Sequence, residues 1–89
     1  MQIEFDPAKD TANLAKHGVS LALASHLDWD TVLATADERS NYGEPRMIGF
    51  ATHDTRVYCI VFTNRADVRR IISLRKANDR EVRHYVTNI

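Results

Sequence analysis

The sequence predicts a single α+β domain in which helices pack on a twisted, mainly antiparallel sheet. Residues 57–63 are apolar at both alternating sets of positions, which is typical of a strand buried on both faces. A second alternating run, residues 69–76, follows after a short polar turn at residues 64–67. Helix-capping signals stand at Asp6-Pro7 and at Asn78. The predicted order of elements is therefore β-α-α-β-β-β-β-α.

The N-terminal quarter of the chain predicts a short edge strand and a well-bounded helix. Residues 3–5 alternate between apolar and polar. A helix is predicted for Pro7–His17, with Asp6 as its N-cap and Gly18 as its C-terminal left-handed residue. One side of this helix carries mostly small residues, which predicts a close approach to the sheet: Ala8, Thr11, Ala12 and Ala15.

The next segment predicts a second helix followed by two strands. Ser20 caps the helix, which covers residues 21–27. Alternation predicts strands at residues 29–36 and 46–53. The polar, glycine-containing residues 37–43 between them predict a surface loop.

The last two elements are predicted with defined faces. In the strand at residues 69–76, period-2 alternation places Ile72 and Leu74 on one face. The same alternation places on the other face Ile71, Ser73 and Arg75. The C-terminal helix, residues 78–88, has one apolar stripe that we expect to dock on the sheet, formed by Val82, Tyr85, Val86 and Ile89.

Length and composition indicate one domain, residues 1–89, in a reducing compartment. Of the 89 residues, 44% are hydrophobic and 27% are charged, which excludes a disordered chain. The single cysteine, Cys59, lies in the most apolar strand and is expected to be a core residue. No apolar run approaches the roughly 18 residues of a membrane span, so we expect a cytoplasmic protein.

The charges are divided unevenly along the chain. Residues 1–44 hold three cations and eight acids, whereas residues 45–89 hold nine cations and four acids. A cationic half of this kind could bind phosphates or an acidic protein partner, and charge alone does not distinguish them. The histidines are scattered, and no glycine-rich phosphate loop or zinc-ligand spacing is present. We therefore expect neither a metal nor another cofactor.

Several polar residues are not needed to explain folding, although each also has an ordinary structural explanation. The arginines and Ser73 could lie on a solvated face of the sheet. Lys16 and His17 are favourable near the C-terminus of a helix, where positive charge is stabilising. Tyr85 is expected first of all in the core. Since Arg69 and Arg70 are adjacent in a strand, they should point to opposite faces.

Short segments distributed over nearly the whole chain resemble one known family, the BrnT toxins. These segments are Asp6-Pro7, Asn13, Lys16-His17-Gly18-Val19-Ser20, Asp28-Trp29, Tyr42-Gly43-Glu44 with Arg46, Val61-Phe62-Thr63 with Arg65, residues 70–77, Arg80-Glu81-Val82-Arg83 and Tyr85. Two positions depart from the family pattern. Pro45 replaces an acid, and Leu21-Ala22-Leu23 replaces a stretch in which acids and an aromatic residue are common.

The resemblance implies a RelE-like fold and a metal-independent endoribonuclease that inhibits translation. It also implies a cognate BrnA-like antitoxin. The protein would contact operator DNA only indirectly, through this antitoxin. The catalytic residues would be Lys16, His17, Glu44, Arg46, Arg65, Ser73 and Arg75. The residues that bind RNA would be Arg69, Arg70, Lys76 and Tyr85.

We expect the cations Arg46, Arg65 and Arg75 to converge on one face with Ser73. RNA cleavage can use the 2′-hydroxyl of the substrate, so the protein must supply a base, an acid and cations. Either Glu44 or His17 could be the base. The alternative function is a non-catalytic binding module whose basic sheet face docks an acidic protein partner.

Overall fold

The fold consists of one five-stranded sheet with helical segments on both faces. The computed structural model describes residues 2–38 and 43–89. The strands are β1 (Gln2–Glu4), β2 (Leu33–Ala36), β3 (Met47–His53), β4 (Arg56–Arg65) and β5 (Val68–Lys76). The helices are α1 (Pro7–His17) and α2 (Asp79–Asn88), with 3₁₀ helices at Leu21–His26 and Trp29–Thr31. Most of the predicted loop at residues 37–43, including Tyr42, lies outside the described residues.

The sheet confirms the α+β class and the predicted run of four antiparallel strands. Its order is β1-β5-β4-β3-β2, in which β2 to β5 are antiparallel neighbours. Strand β1 pairs in parallel with one end of β5, which makes the sheet mixed. Because β1 covers only Val68, Arg69 and Arg70, no strand among the described residues lies beside the edge of β5 beyond Arg70.

Helix α1 has the predicted bounds but not the predicted orientation. Asp6 Oδ1 accepts a hydrogen bond from the amide of Ala8, and Gly18 ends the helix at φ 71°. The side that packs on the protein carries buried Asn13, with Asp10 and His17 half-buried. The small residues that were expected to face the sheet are exposed. The helix lies along the open edge of β5, where exposed backbone polar groups favour polar side chains.

The second predicted helix is a 3₁₀ helix. Its hydrogen bonds run from Leu23 N to Ser20 O and from Leu27 N to Ala24 O, three residues apart. Leu21, Ala24 and Leu27 are consequently stacked on one side, and all three are buried. A 3₁₀ turn also replaces the start of the strand that was predicted for residues 29–36.

A β-bulge in β5 corrects the predicted faces of that strand. Phe62 lies opposite Ile71, whereas the preceding Val61 lies opposite Ser73, so Ile72 is an extra residue without a partner. As a result Ile71 and Leu74 both face the core, in which they are 1% and 0% exposed. The expectation that Ile71 shares a face with Ser73 was wrong.

The core lies between one face of the sheet and the 3₁₀ helices, and α2 covers one end of the opposite face. Asn78 and Glu81 form the predicted capping box of α2. The predicted apolar stripe docks only in part, because Tyr85 is buried while Val86 and Ile89 are 61% and 70% exposed. Cys59 is buried, as expected. Over the described ranges, no helix is long and apolar enough to cross a membrane.

Candidate functional site

The face of the sheet opposite the core carries several of the predicted site residues, and we call it the cationic face. Across the strands Ile48 lies opposite Val61, and Val61 lies opposite Ser73. Residues that are opposite one another project to the same side, as do alternate residues of one strand. The cationic face therefore contains Ile48, Val61, Thr63, Arg65, Arg70, Ser73 and Arg75. At its centre Ile48 and Val61 are only half-buried.

One end of this face is a cluster of arginines and acids. Arg65 forms a bidentate ion pair with Glu44, in which Nη2–Oε1 is 2.6 Å and Nε–Oε2 is 3.0 Å. Next to it Arg70 Nη1 is 2.8 Å from Glu4 Oε2. Hydrogen bonding by Arg65 lowers the pKa of Glu44, and the positive charges of Arg46 and Arg70 act in the same direction. The lowered pKa makes Glu44 a weaker base than a free carboxylate.

A buried threonine supports this arginine cluster. Thr63, 1% exposed, donates a hydrogen bond of 2.6 Å to the carbonyl of Pro45. Pro45 lies between Glu44 and Arg46, so this bond fixes the segment that carries both side chains. The sequence analysis did not assign Thr63 to the site. The feature that could have identified it is a polar residue at the end of a strand whose two faces are otherwise apolar.

The arginines share one face but do not converge on one point. Arg65 lies opposite Val68, and Arg75 is seven residues further along β5. At about 3.3 Å per residue, and allowing for the bulge, their backbones are about 20 Å apart. The predicted convergence of Arg46, Arg65 and Arg75 is therefore corrected to two groups, with Ser73 nearer to Arg75.

The second group surrounds a cavity at the open edge of β5, which we call the edge cavity. Its volume is about 230 Å³, and it is lined by Lys9, Ala12, Asn13, Lys16, His17, Ile72 and Ser73. Helix α1 supplies Lys9 and, two turns later, Lys16 and His17, while the bulge in β5 supplies Ile72 and Ser73. Lys16 and His17, two of the predicted catalytic residues, thus line the same cavity as Ser73.

Asn13 fixes the position of α1 beside this cavity. Its Nδ2 donates to the carbonyls of Val19 (2.8 Å) and Leu74 (2.7 Å), and its Oδ1 accepts from the amide of Leu74 (3.2 Å). A single side-chain amide thereby satisfies both backbone groups of Leu74 at a strand edge with no neighbouring strand. Only the family resemblance pointed to Asn13. A second feature of the sequence could also have identified Asn13. Asparagine is unfavourable in the interior of a helix, so its presence there indicates a specific contact.

Arg75 joins the edge of the cationic face to helix α2. Its guanidinium pairs with Glu81 through two contacts, Nη1–Oε1 at 2.8 Å and Nη2–Oε2 at 2.9 Å. Hydrogen bonding by Arg75 lowers the pKa of Glu81, to which the amide of Asn78 also donates. The same carboxylate thus caps α2 and orients Arg75.

Three of the predicted RNA-binding residues lie elsewhere. Tyr85 is 3% exposed, and its hydroxyl donates to the carbonyl of Thr31 at 3.3 Å. Its ring is part of the core, so no surface is left for RNA. Lys76 lies opposite Tyr58 on the other face of the sheet, and Arg69 also faces away from the cationic face. Only Arg70 of this set belongs to the cationic face.

The arrangement brings cations together with a histidine and a serine. In residues 2–38 and 43–89, no three His, Cys, Asp or Glu side chains are grouped closely enough to hold a metal ion. The lysines beside His17, together with Arg75, can stabilise negative charge on a phosphate.

Comparison with known proteins gives one finding. The model of a family described as the ribonuclease toxin BrnT, of type II toxin–antitoxin systems, matches residues 5–81. The match includes the edge cavity, the arginines of the cluster and Arg75. A search of the curated proteins found no match.

Proposed function

We propose that this chain, which belongs to the BrnT family of ribonuclease toxins of type II toxin–antitoxin systems, is a metal-independent endoribonuclease with a RelE-like fold. It acts in the cytoplasm, where cleavage of RNA inhibits translation. A cognate BrnA-like antitoxin neutralises it and carries the contacts to operator DNA.

The observation that carries this proposal is the edge cavity. Lys16, His17 and Ser73 come from elements far apart in the sequence, and they line one cavity beside a cationic face. A proton acceptor and several cations near a bound phosphate are what cleavage by the 2′-hydroxyl of RNA requires.

In the proposed reaction His17 is the general base. It removes the proton of the 2′-hydroxyl, whose oxygen forms a bond to phosphorus while the bond from phosphorus to the 5′-oxygen breaks. Lys16 donates a proton to the departing 5′-oxygen, and Ser73 donates a hydrogen bond to a phosphate oxygen. We assign Glu44 a positioning role instead, because its bidentate ion pair with Arg65 lowers its pKa.

The two groups of residues have different proposed roles, one in catalysis and the other in RNA binding. Arg75 stabilises the negative charge that develops on the phosphate in the edge cavity. Arg46, Arg65 and Arg70, about 20 Å away along the sheet, hold phosphates of the flanking RNA.

The test is cleavage of a defined single-stranded RNA by the purified chain in excess EDTA. We expect His17→Ala and Arg75→Ala each to lower the rate by about 10²–10³-fold, with circular dichroism confirming that both variants fold. Arg65→Ala should mainly weaken RNA binding. The matched control is His26→Ala, which removes an exposed histidine outside the site. Full cleavage by folded His17→Ala and Arg75→Ala would contradict the assignment and favour a binding module.

The centre of the cationic face supports the antitoxin partner. Half-buried Ile48 and Val61 form an apolar strip next to arginines, which suits an amphipathic acidic segment that covers the sheet. Co-expression with the neighbouring reading frame, followed by purification of the chain, should recover a stable complex. Recovery of the chain alone under these conditions would count against this partner.

A further inference from the structure

The face of the sheet opposite the cationic face has a cavity of its own, built around Arg69. Its volume is about 350 Å³, and it is lined by Ile3, Ser25, Trp29 and Arg69. This size is at the lower end of the range for small-molecule sites. We call it the tryptophan cavity. None of its lining residues belongs to the edge cavity or the arginine cluster.

The guanidinium of Arg69 lies against two aromatic rings. Its Cζ lies 4.1 Å from the centroid of the Trp29 ring and 5.1 Å from that of Phe62. Its Nε donates to Oδ1 of Asn64 at 3.1 Å. Trp29 is fixed in turn, since its Nε1 donates to the carbonyl of Ala24 at 2.8 Å and its ring meets Phe62 edge-on at 5.3 Å. The cation is therefore oriented before any ligand binds.

Arg69 differs from Arg65, Arg70 and Arg75 in having no carboxylate partner among the described residues. Arg65, Arg70 and Arg75 each pair with a glutamate. The stacked guanidinium uses Nε for Asn64, and within residues 2–38 and 43–89 its two terminal nitrogens donate to no protein group. Partial burial also lowers the pKa of Arg69, as expected for a cation that has lost water and gained no counter-ion.

We infer that the tryptophan cavity binds the phosphate group of a nucleotide. The two terminal nitrogens of a fixed guanidinium match two phosphate oxygens, and Ser25, a residue with a hydroxyl group, lines the same cavity. Ile3 and the exposed part of the Trp29 ring provide an apolar wall for a sugar or base. The phosphate could belong to an RNA strand that passes around the β1 edge of the sheet or to a free mononucleotide.

The protein contains one tryptophan, so its fluorescence reports on this cavity directly. Uridine 3′-monophosphate, uridine and inorganic phosphate are titrated into the chain, with excitation at the red edge of the tryptophan absorption band. We expect saturable changes with the nucleotide and with phosphate, and none with uridine. Arg69→Gln should weaken both by at least about tenfold, as for the loss of a charge-assisted bidentate contact.

The matched control is Arg83→Gln, which removes the same charge from an exposed position on α2. Nuclear magnetic resonance titration of the amide of Ser25 provides a second readout if Arg69→Gln changes the fluorescence of the free protein. Equal binding by Arg69→Gln and wild type, or equal binding of uridine and the nucleotide, would overturn the inference.

The source of the phosphate is decided by adding a short RNA that carries no terminal phosphate. A fluorescence change that Arg69→Gln abolishes assigns the cavity to the RNA strand, whereas a response to mononucleotide alone assigns it to a free nucleotide. These are binding measurements, so they stand apart from the cleavage assay, and an inactive ribonuclease could still bind phosphate here.

Discussion

Replacement of Asn13 by alanine should strongly destabilise the fold, because one side chain holds α1 on the edge of β5. The change removes three hydrogen bonds, two to Leu74 and one to Val19, at 2.7 to 3.2 Å. Asn13 is 7% exposed and Leu74 is 0% exposed, so water reaches these groups poorly. Each buried polar group left without a partner costs about 1–3 kcal/mol.

The expected net loss is about 2–4 kcal/mol in the free energy of unfolding. The lower end allows for a water molecule in the space that the amide leaves, and for a gain of about 0.5 kcal/mol because alanine is the better helix former. For a domain of this size, the melting temperature should fall by roughly 10–25 °C. RNA cleavage should fall as well, since Lys16 and His17 lose their fixed position beside Ser73.

The assay is urea unfolding followed by circular dichroism, with Leu14→Ala as the control in the same helix. Leu14 is 52% exposed, so its truncation should change stability by no more than about 0.5 kcal/mol. Asn13→Asp retains the acceptor for Leu74 N–H but loses both donated bonds, and it should also be destabilised. If Asn13→Ala unfolds at the same urea concentration as Leu14→Ala, the proposed role of the amide is wrong.

Three further predictions concern the sheet and α2. Thr63→Val keeps the shape but removes the bond to the carbonyl of Pro45, so it should cost about 1 kcal/mol in urea unfolding and weaken RNA binding measured by filter retention. Glu81 has a lowered pKa because of Arg75, so its contribution to stability is complete above its ordinary pKa of 4.5 and is lost as the pH falls through the lower folded value. Glu81→Gln should therefore show less loss of stability between pH 7 and pH 3 than wild type. Gly49→Ala would bring a methyl group within 3.1–3.3 Å of three side chains, and it should lower the free energy of unfolding by about 1–3 kcal/mol.

Local signals predicted the elements well and their packing less well. The bounds of α1 agree with the structure because Asp6 and Gly18 act through the backbone at the ends of the helix itself. The burial of β4 followed from its composition alone. The 3₁₀ helix at Leu21–His26 was predicted as α-helix, since buried residues spaced three apart fit both kinds of turn.

Features that depend on two distant elements were not predictable from local patterns. A period-2 pattern does not reveal an inserted residue, so the bulge at Ile72 was missed and Ile71 was given the wrong face. The distance between Arg65 and Arg75 also depends on the register of β4 with β5, which alternation leaves open. The pair Ser73 and Arg75 was correctly placed on one face because both lie after the bulge.

The bulge and Asn13 together determine the edge cavity. An unbulged β5 would turn Ser73 to the opposite face, since a shift of one residue reverses every side chain in a strand. It would also turn the backbone groups of Leu74 away from α1, so that Asn13 would have nothing to bind on the strand edge. One extra residue in β5 therefore brings Ser73 to the cationic face and presents the edge that anchors Lys16 and His17 beside it. The site thus depends on the irregularity of β5 as much as on the charged residues themselves.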